Sequence, residues 1–160
     1  MISFPWRLSP FGCSRYLLRS RDAMACAKLH EASFAHPWSS AEFETLLADP
    51  ACVGDGLGDG KKLAGFILSR RALDEAEILT IAVDDSVRGR GFGHRLLSLH
   101  IGRLASVGVG RLFLEVDEDN SAAVALYARF GFAIAGKRAN YYAKASGGHA
   151  NALVMRRDLN

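Results

Sequence analysis

Seven consecutive residues, Arg88-Gly89-Arg90-Gly91-Phe92-Gly93-His94, carry the clearest chemical signal in the chain. They follow a strand-like run, Ile78-Leu79-Thr80-Ile81-Ala82-Val83, and lead into a helix-like run at Arg95-Leu96-Leu97. Alternating glycines at such a junction let the backbone turn tightly and leave N–H groups unshielded. With the positive end of a helix dipole behind them, those groups make a site for a phosphate. A dinucleotide fold would need G-x-G-x-x-G early in a βαβ unit, and a P-loop would need Lys-Ser or Lys-Thr after the last glycine. Here the spacing is G-x-G-x-G past mid-chain, so neither reading holds. The plain alternative is a glycine-rich turn capping a helix.

Acid–base chemistry is legible further on. Leu112-Phe113-Leu114-Glu115-Val116 reads as a strand, and Asp117-Glu118-Asp119-Asn120 precedes a helix from Ser121. Glu115 sits among apolar neighbours, where poor hydration would raise its pKa toward the range of a base working on an amine. The alternative is a strand glutamate facing solvent or paired to an arginine. Tyr127 is a candidate acid, because its hydroxyl is neutral at pH 7 and can donate a proton. It shares a helical face with Ala123, Leu126 and Phe130, so it also reads as a packing aromatic. Asn120 is placed to cap the helix that follows.

The pattern Arg-x-x-Gly-x-Gly after a strand ending in Val resembles the cofactor loop of the GNAT N-acetyltransferases. The string L-E-V-x-x-x-N-x-x-A-x-x-L-Y-x-x-x-G-F, over Leu114–Phe132, is similar to the second half of that family's core. Leu79–Val83, Arg138-Ala139-Asn140-Tyr141-Tyr142 and His36-Pro37-Trp38-Ser39 narrow the likeness to the RimI type, the ribosomal-protein-alanine N-acetyltransferases. The resemblance spans roughly Arg15 to Leu159 and implies a GNAT-like fold: a mixed, mostly antiparallel sheet of about six to seven strands with helices on both faces. It also implies acetyl-coenzyme A as cosubstrate and a protein N-terminus, expected to be ribosomal, as acceptor. By the same resemblance Glu115 is the base and Tyr127 the acid. The backbone of Ile81, Ala82 and Val83 would hold the pantetheine arm. Arg88, Gly89, Arg90, Gly91, Phe92, Gly93 and His94 would hold the pyrophosphate, with Arg88 replacing the commoner Gln, and Asn120 would also touch the cofactor. Asn140, Tyr141 and Tyr142 would form part of the substrate wall; adjacent tyrosines on a strand point to opposite faces, so only one can line a cleft. Two rivals remain: an acetyltransferase for a small amine or a lysine side chain, and a coenzyme A-binding module without turnover.

Composition agrees with one domain. The chain has 160 residues, 49% of them apolar, with a net charge of +3. Three scattered cysteines form no C-x-x-C pair, which points to reduced thiols in the cytoplasm. The five histidines show no metal-binding spacing, so no metal is expected. No segment is apolar enough to span a bilayer, and the first 20 residues lack a signal peptide's apolar run. Neither nucleic-acid binding nor membrane binding is expected.

The elements that must position these groups follow from periodicity and punctuation. Residues 1–13 read as an irregular lead-in to a single domain over 14–160. A strand is expected over Ser14–Ser20, a helix from Asp22 to about Ala35, and a second helix to Ala48 opened by the Ser39/Glu42 capping box. Gly54–Gly60 reads as a hairpin loop. Strands follow over Lys62–Ala72 and Ala76–Val83, then a helix over Gly93–Val107 and the Arg111–Val116 strand. The Ser121–Phe130 helix precedes strands near Ala133–Tyr141 and Ala150–Arg157. Ala145-Ser146-Gly147-Gly148 reads as a flexible loop that can close over a peptide.

Overall fold

The computed structural model describes residues 13–143 and 147–160. The expected lead-in, apart from Cys13, and Ala145-Ser146 of the expected loop lie outside the described residues. Among the described residues seven strands and four α-helices are present, the strands being β1 (Ser14–Leu17), β2 (Cys52–Gly58), β3 (Leu63–Ala72), β4 (Glu75–Val83), β5 (Arg111–Asp117), β6 (Ala133–Ala143) and β7 (His149–Asp158). The helices are α1 (Ala23–Ser33), α2 (Ser40–Ala48), α3 (Phe92–Ser106) and α4 (Ser121–Arg129). The strands form one mixed sheet in the order β1-β2-β3-β4-β5-β7-β6. The chain divides into two compact units, residues 1–69 with 80–103 and residues 70–79 with 104–160.

The first unit is built on β1, β2, most of β3 and the end of β4, with α1, α2 and most of α3. From Leu63 to Ser69, β3 is buried at every residue, as a central strand covered on both faces must be. Phe43 of α2 meets Phe66 of β3 edge to face at 5.5 Å between ring centres, and both are fully buried. The capping box of α2 forms as expected. Glu42 N–H donates to Ser39 Oγ at 3.2 Å, and Ser39 N–H donates to Glu42 Oε2 at 2.7 Å.

The glycine-rich segment expected as a loop is instead β2, antiparallel to β1 from Ser14↔Gly58 to Leu17↔Asp55. Its glycines alternate along the strand and so share one face. A Cβ on Gly54 would lie 2.9 Å from Leu18 Cδ1, and one on Gly56 would lie 2.9 Å from Leu63 Cδ1. A Cβ on Gly58 would collide with the Lys62 carbonyl. The glycines mark a crowded strand face rather than a turn. The turn comes later, where the Asp59 carboxylate accepts from the N–H groups of Lys61 and Lys62 at 2.9 Å each.

In the second unit β4 runs parallel to β5 from Glu75↔Arg111 to Ile78↔Leu114. β7 pairs antiparallel with β5 along its whole length and with β6 on its other side. Burial along β5 alternates strictly: Leu112, Leu114 and Val116 point into the core, and Phe113, Glu115 and Asp117 lie on a half-buried face. Between Arg138 and Tyr142, β6 advances four residues while β7 advances two, from Ala152 to Ala150. The resulting bulge holds Asn140 at φ 55°, a left-handed conformation that asparagine tolerates better than most residues.

Candidate functional site

The first unit carries the glycine-rich loop expected to hold a phosphate. A short 3-10 turn, Asp85–Val87, follows β4, and α3 begins at Phe92, one residue before the expected start. Gly89 and Gly91 both adopt positive φ, 75° and 85°. At Gly89 a Cβ would meet nothing within 4 Å, so the backbone conformation demands glycine there, not crowding. At the first turn of α3 Arg95 N–H donates to Gly91 O at 3.0 Å, and the leading N–H groups of a helix point beyond its own carbonyls. Those donors, the open ground over Gly89 and the helix dipole suit an anion such as a pyrophosphate.

Arg88 braces this loop. Its Nε donates to Val83 O at 3.1 Å, its Nη2 donates to Ser33 Oγ at 2.9 Å, and its Nη1 pairs with Asp85 at 2.8 Å. The Val83 carbonyl, expected to serve a pantetheine arm, is thus engaged by Arg88. Phe92 has its ring in the core, so only its backbone can face a ligand. His94 is exposed on the first turn of α3, and Arg90 is exposed in the loop.

The second unit carries the acid–base candidates. Glu115 does not have the apolar neighbourhood expected for it: its side chain is 21% exposed, and Oε1 accepts from Arg138 Nη1 at 2.8 Å. The physical reason is strand alternation, which turns Glu115 to the half-buried face while Leu114 and Val116 face inward. That bond holds the Arg138 guanidinium above its ordinary value. Tyr127 is 6% exposed, the one buried residue of α4, with its ring edge to face on Phe132 at 5.8 Å. Asn120 caps α4, its Oδ1 accepting from Ala123 N–H at 3.2 Å. Asn140 and Tyr141 lie in the β6 bulge, and Tyr142 re-enters the pairing opposite Ala150. The ring of Tyr141 lies under the Arg138 guanidinium at 4.0 Å.

Two groups of residues escaped the sequence reading. One is Asn151, which receives Asn140 N–H on Oδ1 at 3.0 Å and donates from Nδ2 to Glu118 Oε1 at 2.8 Å. The other is a chain of polar groups inside the first unit. Ser69 Oγ lies 2.7 Å from His100 Nε2, and His100 Nδ1 lies 2.8 Å from Asp55 Oδ2. Arg103 donates to the same carboxylate, from Nε to Oδ1 at 2.7 Å.

This chain has the connectivity of a serine–histidine–aspartate relay, but Ser69, His100 and Asp55 are each 0% exposed. No substrate can reach the hydroxyl, so the arrangement serves the interior. An ionised Asp55 can only accept, so His100 Nδ1–H donates to Oδ2, while Nε2 shares a hydrogen bond with the Ser69 hydroxyl. Burial alone would raise the pKa of Asp55, but the hydrogen bonds from His100 and Arg103 outweigh it and hold the group below the usual carboxylate range. Its sequence signals were the strand alternation that sets Asp55 opposite the glycines, and the three-residue spacing of His100 and Arg103 on one helix face.

Among the described residues no group of three or more His, Cys, Asp or Glu could hold a metal, and no helix is long and apolar enough to cross a membrane. The Cys26 thiol is fully buried and is pushed up to about 12 by that burial, with Asp22 adding to it, so it is no nucleophile.

Residues 23–132 match the acetyltransferase (GNAT) family. The [ribosomal protein bS18]-alanine N-acetyltransferase of Salmonella typhimurium is 36% identical over 144 residues, which cover 87% of this chain and 93% of that protein. The N-alpha-acetyltransferase RimI of Mycobacterium tuberculosis is 41% identical over 147 residues, 88% of this chain and 89% of that protein. The crystal structure of the ribosomal-protein-S18-alanine N-acetyltransferase from Escherichia coli superposes with a TM-score of 0.87 at 32% identity, covering 92% of this chain and 94% of that one. With the family match over residues 23–132, the fold and nearly the full length in agreement, this chain belongs to the GNAT acetyltransferase family.

Proposed function

We propose that residues 14–160 work as one acetyltransferase domain that uses acetyl-coenzyme A to acetylate the α-amine of a protein N-terminus, that of a ribosomal protein. A ribosomal substrate implies work in the cytoplasm. The observation that carries this reading is the loop Arg88–His94, with two glycines at positive φ opening directly onto the first turn of α3. The family and the named relatives supply the reaction and the acceptor class.

Acetyl-coenzyme A supplies an activated acetyl thioester. The N–H groups of the loop and of the α3 first turn, with Arg88 and Arg90, bind its pyrophosphate, and the backbone of Ile81 and Ala82 guides the pantetheine arm. Glu115 takes a proton from the substrate ammonium, which frees the lone pair to attack the thioester carbon. Tyr127 then donates its proton to the departing sulfur. Amine attack is direct: Cys26 is protonated and buried, and Ser69, the serine of the relay, is sealed. Asn120 adds a polar contact for the cofactor, and Asn140, Tyr141 and Tyr142 line the peptide.

The test is a panel of peptides with different N-terminal residues, incubated with acetyl-coenzyme A, followed by thiol release and by mass spectrometry of the products. Acetylation at the α-amine of a ribosomal-protein N-terminus is the expected result. Modification confined to lysine side chains or small amines would move the acceptor assignment. Coenzyme A binding without thiol release on any acceptor would make the chain a binding module.

A further inference from the structure

The Glu115–Arg138 pair sits on a construction that an ordinary strand could not provide. On a regular strand, residues three apart point to opposite faces. Arg138 and Tyr141 are three apart, yet the guanidinium lies over the ring at 4.0 Å. The extra residues of the β6 bulge make this possible, and Asn140 absorbs the turn at φ 55°. The bulge is itself pinned from β7. Asn151 accepts from Asn140 N–H with its side-chain oxygen and donates its amide hydrogen to Glu118. Glu118 is held in turn by Lys137 Nζ at 2.8 Å and by its own N–H to Asn151 O at 3.0 Å.

The guanidinium is therefore fixed by stacking and by charge at once. Of the Glu115 carboxylate it bonds Oε1, and Oε2 has no hydrogen bond among the described residues. Other charges share that face of β5, with Asp117 two residues on and Arg156 across from Phe113, but Arg138 is the one bonded to Glu115.

We infer that Arg138, stacked on Tyr141 and carried by the β6 bulge, is a positioning residue that holds Oε1 of Glu115 and so presents Oε2 to the substrate amine. This rests on the reading of Glu115 as the base. One proton of the ammonium passes to Oε2, the nitrogen lone pair forms the bond to the acetyl carbon, the carbon–sulfur bond breaks as Tyr127 protonates sulfur, and the second proton leaving the nitrogen returns to the Tyr127 phenolate, so that one proton is left on Glu115. A planar, two-sided cation is suited to this task, since it can stack and donate together where an ammonium can only donate.

The experiment is a steady-state comparison of Arg138→Ala, Arg138→Lys, Glu115→Gln and the double variant Glu115→Gln/Arg138→Ala, using the full chain and a peptide it acetylates. Arg138 is 53% exposed, so its variants should fold, and calorimetric binding of coenzyme A checks this. Arg138→Ala should lower kcat about tenfold with little change in either KM. Millimolar methylguanidinium should restore part of that loss. Arg138→Lys should recover only part of the rate, because it returns the charge without the stacking plane. In the Glu115→Gln background the Arg138→Ala change should add nothing. Parental kcat in a folded Arg138→Ala, with Glu115→Gln inactive, would overturn this inference and leave the base in place. Full activity of Glu115→Gln would remove the base assignment itself. A further loss from Arg138→Ala in the Glu115→Gln background would show that Arg138 acts independently of Glu115, and so would also overturn it.

Discussion

Asp55 and Glu115 each meet an arginine, and they do so in opposite settings. Asp55 is sealed, with both oxygens filled by His100 and Arg103. Glu115 is held at one oxygen, with the other left open at a half-buried surface. The sealed cluster has the atoms of a catalytic relay and no entrance. The open pair has a less familiar geometry and a vacant acceptor. Residue type and hydrogen-bond distance are alike in the two pairs; access and an unused acceptor oxygen set them apart. The energetic roles differ accordingly. Breaking a buried pair leaves an uncompensated charge, whereas a partly exposed pair contributes little to stability.

The strongest challenge to this contrast is Asp55→Ala. It strands Arg103 and removes the acceptor for His100 Nδ1–H, and a loss of about 3–5 kcal/mol in stability is expected. Urea denaturation measures it, and kcat per folded molecule should hold. The pH dependence sharpens the point. Because the folded-state value of Asp55 is depressed, its contribution is complete above the unfolded value of about 3.9 and is lost as pH falls below it. The parent should therefore lose more stability below pH 4 than Asp55→Asn does. Lost activity at unchanged stability would erase the contrast.

Glu115→Gln is the mirror experiment. It should leave stability within about 1 kcal/mol and lower kcat/KM by about 10²–10⁴-fold at neutral pH. Recovery at high pH, where the amine is already neutral, would support proton removal as the lost step. Tyr127→Phe tests the partner role with packing preserved. The ring stays against Phe132, and kcat should fall by about 10²-fold with the KM for acetyl-coenzyme A little changed. The defect should shrink with an acyl donor whose thiol is more acidic. Gly91→Val touches neither carboxylate and serves as the control. Forcing a β-branched residue to φ 85° costs at least about 1–2 kcal/mol, so coenzyme A affinity by calorimetry should drop about tenfold or more.

The contrast also explains which parts of the chain were legible in advance. Most helix and strand positions were, because their signals are local: the Ser39/Glu42 box, the Gly89 and Gly91 turn, and the largely apolar run Leu112–Val116. The second glycine-rich segment was misread because glycine has two uses. At Gly89 and Gly91 it permits a backbone angle, and at Gly54 and Gly56 it makes room for Leu18 and Leu63. Only the neighbours, 36 residues away for Gly54, distinguish the two. Glu115 was located as a candidate, but its surroundings were not. Flanking apolar residues describe the other face of the strand, and the real partner, Arg138, arrives from 23 residues downstream. The Asp55–His100–Ser69 chain joins three elements whose closeness no spacing rule encodes.

The bulge in β6 has one more effect, on how the chain behaves among copies of itself. β6 is last in the strand order and β1 is first, so these two carry the sheet's lateral rims. A long, regular rim offers a row of backbone donors and acceptors to any other chain that presents a strand. β1 is only four residues long. β6 has eleven, but its regularity is interrupted at Asn140 and again between Ile134 and Gly136, and charged Lys137 and Arg138 stand exposed between the two breaks. The irregularity that brings a guanidinium to Glu115 also deprives a foreign strand of a continuous template, so the behaviour of this rim and that ion pair are tied to the same few residues.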